Sequence, residues 1–244
     1  MDHYLPGYKG GGPIRTIANM RDLLADSVEL SIFTRDRDLG SDAPYDTIHV
    51  DTWTNSERGP IFYASPKMFG TGGLKMAMAE NGYDMIYLNS FFSFQASITA
   101  YLWLRRTNPK VPILLAPRGE FSRGALTIKS LKKRTFLTLV KLFRLYRDVQ
   151  WHASTETEKK DILRQFPSAE NSIHVAEDPV SLDFPTSASE GHPPRPAGHL
   201  RLAFVSRISP MKNLDGLLRI LATTTCRTQL DIYGPVEDVA YWEK

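Results

Sequence analysis

Short apolar runs alternate with helix-length patterns along most of this chain, and that alternation is the strongest constraint on what it can fold into. Strand-like runs fall at residues 28–34, 47–50, 84–88, 112–116 and 150–153. Helical patterns occupy about 13–24, 73–80, 92–106, 125–147 and 156–165. Parallel strands need a crossover of about a dozen residues or more, usually a helix, and from residue 84 onward every strand-to-strand span is long enough to hold one. The pattern therefore predicts an α/β fold with a Rossmann-like parallel sheet.

The alternation is interrupted once. Residues 185–199 read PTSASEGHPPRPAGH, rich in proline and glycine and without apolar periodicity. Such a stretch predicts a linker. It separates an N-terminal domain, residues 1–184, from residues 200–244, where the pattern resumes with a strand at 200–205, a helix at 212–221 and a strand at 229–233. These few elements cannot bury a core alone, which predicts the opening of a second, incomplete Rossmann-like domain. At the front, Pro6 and Gly7 leave room for only a very short strand at residues 2–5 before Gly10, or else the opening strand of such a domain is missing.

Composition narrows the class. Apolar residues at 42% and charged residues at 23% are ordinary for a globular protein. Cys226 is the only cysteine, so no intrachain disulfide can form and a reducing cytoplasm is the expectation. No apolar run reaches the roughly 18 residues of a membrane span. A net charge of +3 is too small to predict a nucleic-acid partner.

Four short stretches carry candidate chemistry. Gly10-Gly11-Gly12-Pro13 opens a helix, and the free N–H groups and dipole of a helix start suit an anion such as a diphosphate; the alternative is a plain turn. The third glycine of the dinucleotide fingerprint is absent. Arg118-Gly119-Glu120 follows the strand at 112–116, where open α/β sheets bind ligands, or it is a surface ion pair or a helix cap. In Ser206-Arg207-Ile208-Ser209-Pro210-Met211-Lys212 two cations sit between a strand end and a helix start, a favourable arrangement for a diphosphate. Asp36-Arg37-Asp38 has the spacing of a metal-holding D-x-D but lies in the hydrophilic stretch RDRDLGSD, which predicts a solvated turn. The six histidines show no zinc-ligand spacing, and His152, at a strand end, reads as a hydrogen-bonded core residue.

One helix adds a surface. Residues 127–147 carry seven basic side chains and no acidic one. Ile128, Leu131, Leu139, Leu142 and Tyr146 share a stripe, with Lys133, Arg134, Lys141 and Arg144 opposite. A basic amphipathic helix can dock on an anionic membrane; a crossover helix must also turn an apolar stripe inward onto its sheet.

The succession GGGP, PRGEFSRGAL, HASTETEKKDI, SRISPMKNLDGLL and LDIYGP resembles the retaining GT-B glycosyltransferases. The nearest group is the large bacterial family of hexosyltransferases (glycosyltransferase family 4 type) that build exopolysaccharide and lipopolysaccharide. The similarity runs over almost the whole chain. It implies two Rossmann-like domains facing a cleft and a nucleoside diphosphate sugar as donor, with no metal and no other cofactor. The acceptor it implies is a saccharide or a lipid-linked one at the inner face of the membrane. By this resemblance Arg207 and Lys212 neutralise the donor diphosphate, and Gly11, Gly12, Gly119 and Gly234 are the glycines of the loops lining the cleft. Arg118 and Glu120 become the candidate catalytic residues, although many family members have His-Gly where this chain has Arg118-Gly119. Ala176-Glu177-Asp178-Pro179-Val180 departs from the family's Pro-Asn-Gly-Val-Asp, and the family's paired glutamates would fall beyond Lys244. The resemblance thus implies a glycosyltransferase whose isolated 244 residues turn over little. The rival readings are a non-catalytic remnant with weak ligand binding and a nucleotide-dependent oxidoreductase, the latter disfavoured by the missing glycine fingerprint.

Overall fold

A computed structural model describes residues 1–79, 82–127, 130–181 and 198–244. The chain divides into two compact units, Met1–Asp183 and Phe184–Lys244. Both are α/β with parallel strands, and no described helix is long and apolar enough to cross a membrane.

In the first unit α1 (Gly12–Leu24) starts where the glycine run ends. Gly11, at φ 76°, is its N-cap, and Pro13 in its first turn brings a preset φ and no N–H to leave unsatisfied. Ile14, Ile17 and Ala18 form its buried face. The strand expected at 28–34 begins later, as β1 (Ile32–Arg35), because the amides of Ser27 and Val28 still bond the Leu24 carbonyl at the end of α1. No strand forms at 47–50. Residues 53–64 instead make an unforeseen hairpin of β2 (Trp53–Ser56) and β3 (Gly59–Ala64). Its turn is built by Gly59 at φ 107°, a value that favours glycine, and by Ser56 Oγ donating to the Gly59 carbonyl at 2.7 Å. The sheet order is β1-β3-β2, with β3 parallel to β1 and antiparallel to β2. Residues 1–4 run beside the free edge of β1: the Met1 ammonium donates to the Phe33 carbonyl at 2.8 Å and Arg35 N–H to the Asp2 carbonyl at 3.3 Å.

After α2 (Thr71–Ala77), four strands form a wholly parallel sheet in chain order: β4 (Ile86–Asn89), β5 (Ile113–Ala116), β6 (Gln150–Ala153) and β7 (Ile173–Val175). β7 is three residues of mixed polarity, too short for the periodicity to reveal. The helix expected at 92–106 is a π-helical turn, Phe94–Thr99, running into α3 (Ala100–Thr107). α6 (Glu156–Gln165) has the predicted bounds, with Thr155 Oγ1 accepting the Glu158 amide at 3.1 Å as its cap.

The helix expected at 125–147 is corrected. It is described as α4 (Arg123–Thr127) and α5 (Ser130–Leu142), and it ends because Arg144 and Tyr146 take left-handed φ values of 49° and 63°. Its inward face is Phe136, Leu137 and Val140, which meet the core around Phe91. Leu131, Leu139 and Leu142 point to solvent, with Leu131 79% and Leu142 70% exposed, while Tyr146, beyond the helix end, is buried. Ile128 lies outside the described residues.

The second unit pairs β8 (His199–Val205) in parallel with β9 (Arg227–Tyr233). β8 takes up the last residue of the expected linker, most of which falls outside the described residues. α7 (Leu214–Leu221) starts after Lys212, because Asn213 is left-handed at φ 55°, and Lys212 closes a 3-10 turn, Pro210–Lys212. α8 (Val239–Trp242) ends the chain. Gly234, at φ 146° just after β9, has no room for a side chain: a Cβ there would stand 1.9 Å from the Ser206 carbonyl oxygen. Gly234→Ala should cost this unit about 1–3 kcal/mol, the usual scale of strained backbone. Hydrogen exchange of the β8 and β9 amides checks it: their protection should fall while β5 and β6 keep theirs.

Candidate functional site

The carboxyl ends of β4 to β7 converge on one polar cluster. Tyr87 and Asn89, two residues apart on β4, share a face of the sheet. Past β5 the chain turns sharply through Arg118 and Gly119, at φ 54° and 74°. Arg118 is thereby folded back over β4. Its Nε and Nη2 donate to Asn89 Oδ1 at 3.0 and 2.8 Å, its Nη2 also to the Tyr87 hydroxyl at 2.9 Å, and its Nη1 pairs with Asp178, which follows β7.

His152 on β6 completes the cluster. Its Nε2 lies 2.8 Å from the Ala176 carbonyl, which can only accept, so Nε2 carries the proton. In the neutral ring Nδ1 then accepts from the Tyr87 hydroxyl. A chain of donors thus runs from Arg118 through Tyr87 to His152. Burial pushes the Tyr87 hydroxyl up to about 12, against the pull of the Arg118 charge, and keeps it a neutral donor at physiological pH.

Two acidic residues frame this loop. Glu158 on α6 accepts the Gly119 amide at 2.7 Å and, on its other oxygen, the amide and hydroxyl of Ser154 at 2.8 and 2.7 Å. Glu120 accepts from Ser90 Oγ and from the amides of Phe91 and Phe92, so both its oxygens are taken up by the loop after β4. Burial raises its carboxyl above the usual range, and its geometry gives it the part of holding that loop. Ser90 is itself left-handed at φ 112°. Non-glycine residues in that region cost about 1–3 kcal/mol and gather at functional sites.

α1 reaches the same corner. Thr16 Oγ1 stands 3.5 Å from Asp178 Oδ2, and Asn19 Nδ2 donates to the Pro179 carbonyl at 2.9 Å. Gly11 and Gly12, at the start of α1, face open space: a Cβ on either would meet nothing within 4 Å. The loop before them is fastened by Asp38, which accepts the amides of Tyr8, Lys9 and Leu39 at 3.0, 3.2 and 2.8 Å. Asp36 and Asp38 are therefore not a solvated turn. They are 2% and 9% exposed, and Asp36 pairs with Arg37 at 2.7 Å. Burial works against the Asp38 charge, but its three backbone bonds outweigh that and hold its carboxyl below the usual value.

In the second unit Arg207 and Lys212 lie on the loop after β8, both exposed. Arg207 Nη1 pairs with Glu237 at 2.7 Å, so an anion arriving there competes with a half-exposed carboxylate. Gly234 is required by the close approach of Ser206 within this unit.

The sequence pointed to Arg118 and the glycines and read His152 as a hydrogen-bonded core residue, as it is, but passed over Tyr87, Asn89, Glu158 and Asp178. The available signals were Tyr-x-Asn ending a strand and the acid of Ala176-Glu177-Asp178. Comparison with family models, with curated proteins and with solved structures finds no match to this chain.

Two outcomes follow from this geometry. Arg118→Ala should lose about 1–3 kcal/mol, a buried-pair cost reduced because Asp178 is partly exposed. Arg118→Gly should lose about 1 kcal/mol less, since glycine relieves the left-handed strain; urea midpoints of the two variants decide. Tyr87 holds its proton more tightly folded than unfolded, so its contribution is whole below about pH 10 and drains as pH rises toward 12. Tyr87→Phe should make that alkaline decline shallower, with Tyr45, Tyr63 and Tyr146, whose hydroxyls burial also raises, keeping the rest, measured as the denaturation midpoint against pH.

Proposed function

We propose that this chain is the acceptor-side domain, with the opening of the donor-side domain, of a retaining glycosyltransferase of the GT-B type. It moves a hexose from a nucleoside diphosphate sugar to a saccharide or lipid-linked acceptor in bacterial surface polysaccharide synthesis. The observation that carries this is the Arg118 cluster, a guanidinium folded back under strain at the carboxyl ends of parallel strands, with the open Gly11-Gly12 helix start joined to the same corner. Ligands of open α/β sheets sit at such strand ends. Asp178 and the Arg118–Tyr87–His152 chain offer acceptors and donors suited to sugar hydroxyls. Arg207 and Lys212 supply positive charge for the diphosphate and for the nucleotide as it leaves, a form of electrostatic stabilisation.

In the full enzyme, Arg207→Ala or Lys212→Ala should each cost about 2 kcal/mol or more of transition-state stabilisation, read mainly in kcat/KM. Calorimetric titration of the chain with nucleoside diphosphates gives a direct test. Binding should weaken in both variants and hold in Arg118→Ala; equal affinity in all of them places the diphosphate elsewhere.

The acceptor side includes peripheral docking on the inner face of an anionic membrane. Leu131 and Leu142 lie about three turns apart on the outward face of α5, with Phe143 73% exposed just beyond. Exposed Lys132, Arg134 and Lys141 flank them. Apolar side chains ringed by cations suit an interfacial helix, each cation adding about 1 kcal/mol near an anionic leaflet. Co-sedimentation should need anionic lipid, fade with salt, and fall further in a Leu131→Gln, Leu142→Gln double variant. Recovery that is equal on neutral and anionic vesicles removes the membrane from this reading.

A further inference from the structure

The β2–β3 hairpin, the end of α1 and residues 4–6 line an open-sided cavity of about 580 Å³ that shares no residue with the Arg118 cluster. Its size is ordinary for a small-molecule site. Tyr4, Ile48, Ile61 and Tyr63 give it an apolar wall, and Thr54, Asn55 and Ser56 of β2 a polar one.

Arg21, in the last turn of α1, also lines this cavity and is 2% exposed. Its Nη1 donates to the Tyr4 hydroxyl at 3.3 Å, and its Cζ stands 5.7 Å from the centroid of the same ring. Both contacts are with a neutral group. Nε and Nη2 are shut off from solvent and bond nothing, and among the described residues no carboxylate pairs with Arg21. The neighbouring Asp22 is taken by Arg58 at 2.8 Å. Thr54 Oγ1 is likewise buried without a partner. A charge withdrawn from water and left without a counter-charge is strongly destabilising, so a buried arginine is ordinarily paired. Glu57, on the hairpin turn, lines the same cavity but is exposed to solvent.

We propose that this cavity binds a small organic monocarboxylate, an acid with an apolar body, whose charge neutralises Arg21. Nε and Nη2 lie on one edge of the guanidinium, the edge that grips a carboxylate through two parallel N–H···O bonds. Gly59 leaves room for that edge to turn into the cavity: a Cβ there would stand 2.9 Å from Arg21 Nη2. The Thr54 hydroxyl adds a donor, and the wall of Tyr4 and Ile61 receives the apolar body. The charge count favours one negative charge over two. Arg58 is already paired and Glu57 adds a carboxylate at the rim, so a phosphate dianion would bring more charge than Arg21 can balance. The site does not rest on the proposed glycosyl transfer.

The probe is benzoate, titrated at constant ionic strength into the whole chain, with neutral benzamide and inorganic phosphate as controls. The Arg21 Nε–H resonance should move downfield with benzoate and saturate, and the melting temperature should rise with it. Benzamide should do neither, and phosphate should bind more weakly than benzoate. Arg21→Met should weaken benzoate binding by about tenfold or more, the scale of one hydrogen-bonded charge. The same variant should melt no lower than the parent chain without benzoate, since it removes an unpaired buried charge. Thr54→Val, which keeps the shape of its side chain, should weaken binding to a smaller extent. An Arg21 resonance that benzoate leaves in place overturns the proposal, as does equal binding of benzamide or tighter binding of phosphate. If Glu57→Gln shifts the Arg21 resonance and lowers the melting temperature without any probe, Glu57 is the counter-charge and the proposal fails.

Discussion

The Glu120 carboxylate ties the loop after β5 to the loop after β4, and the candidate site is organised around that tie. Its oxygens accept the Ser90 hydroxyl and the Phe91 and Phe92 amides. Charge-assisted bonds to backbone N–H groups are strong, and a carboxylate has lone pairs enough for all three. The tie holds Ser90 in a left-handed conformation and drives Phe91 inward, fully buried among Phe121, Tyr146, Trp151 and Phe166. Burying an aromatic side chain of that size is worth roughly 1.5–3 kcal/mol, comparable to the strain at Ser90. The raised carboxyl of Glu120 records what its surroundings ask of the charge.

From that tie the polar cluster follows. With β4 and β5 locked at their carboxyl ends, the left-handed turn at Arg118 brings its guanidinium onto Asn89 and Tyr87, and Glu158 closes the turn from α6. Residues from four successive strands are gathered within hydrogen-bonding reach, although they span from 87 to 178 in the chain. The glycine loop at the start of α1 is built separately, on Asp38, and meets the cluster only through Thr16 and Asn19.

That separation explains how much the sequence disclosed. Where one rule acts locally the reading was close: β6 and α6 have the predicted bounds, and Thr155 caps α6 as its place before the helix suggests. Where tertiary packing overrides a local rule it failed. The alternation at 47–50 is that of a strand, yet Ile48 packs against the small core of Tyr4 and Ile61 without pairing. The hairpin at 53–64 was missed because Gly59 and Pro60 are turn-type residues; Gly59 makes its turn, and Pro60 stands at the head of β3, just before β3 starts to pair with β1. The stripe on α5 is divided: Leu131, Leu139 and Leu142 face solvent, while Leu137 and Val140, which lie off it, take the core. Arg118 stood out as a charge beside a glycine after a strand. Tyr87, Asn89 and Asp178 did not, since only the sheet register brings them to it.

The short antiparallel strand at the outer margin has a bearing on how the molecule behaves among its own copies. β2 is four residues long, reverses the strand direction of its sheet, and ends in exposed Asn55 and Ser56 next to the charged pair Glu57 and Arg58. Trp53, its one large apolar residue, is held inward by its indole N–H on the Ala77 carbonyl at 3.2 Å. A margin so brief and polar is a poor template for a neighbouring chain, which is how natural sheets discourage edge-to-edge stacking. At high protein concentration this margin therefore offers little purchase for edge-to-edge stacking.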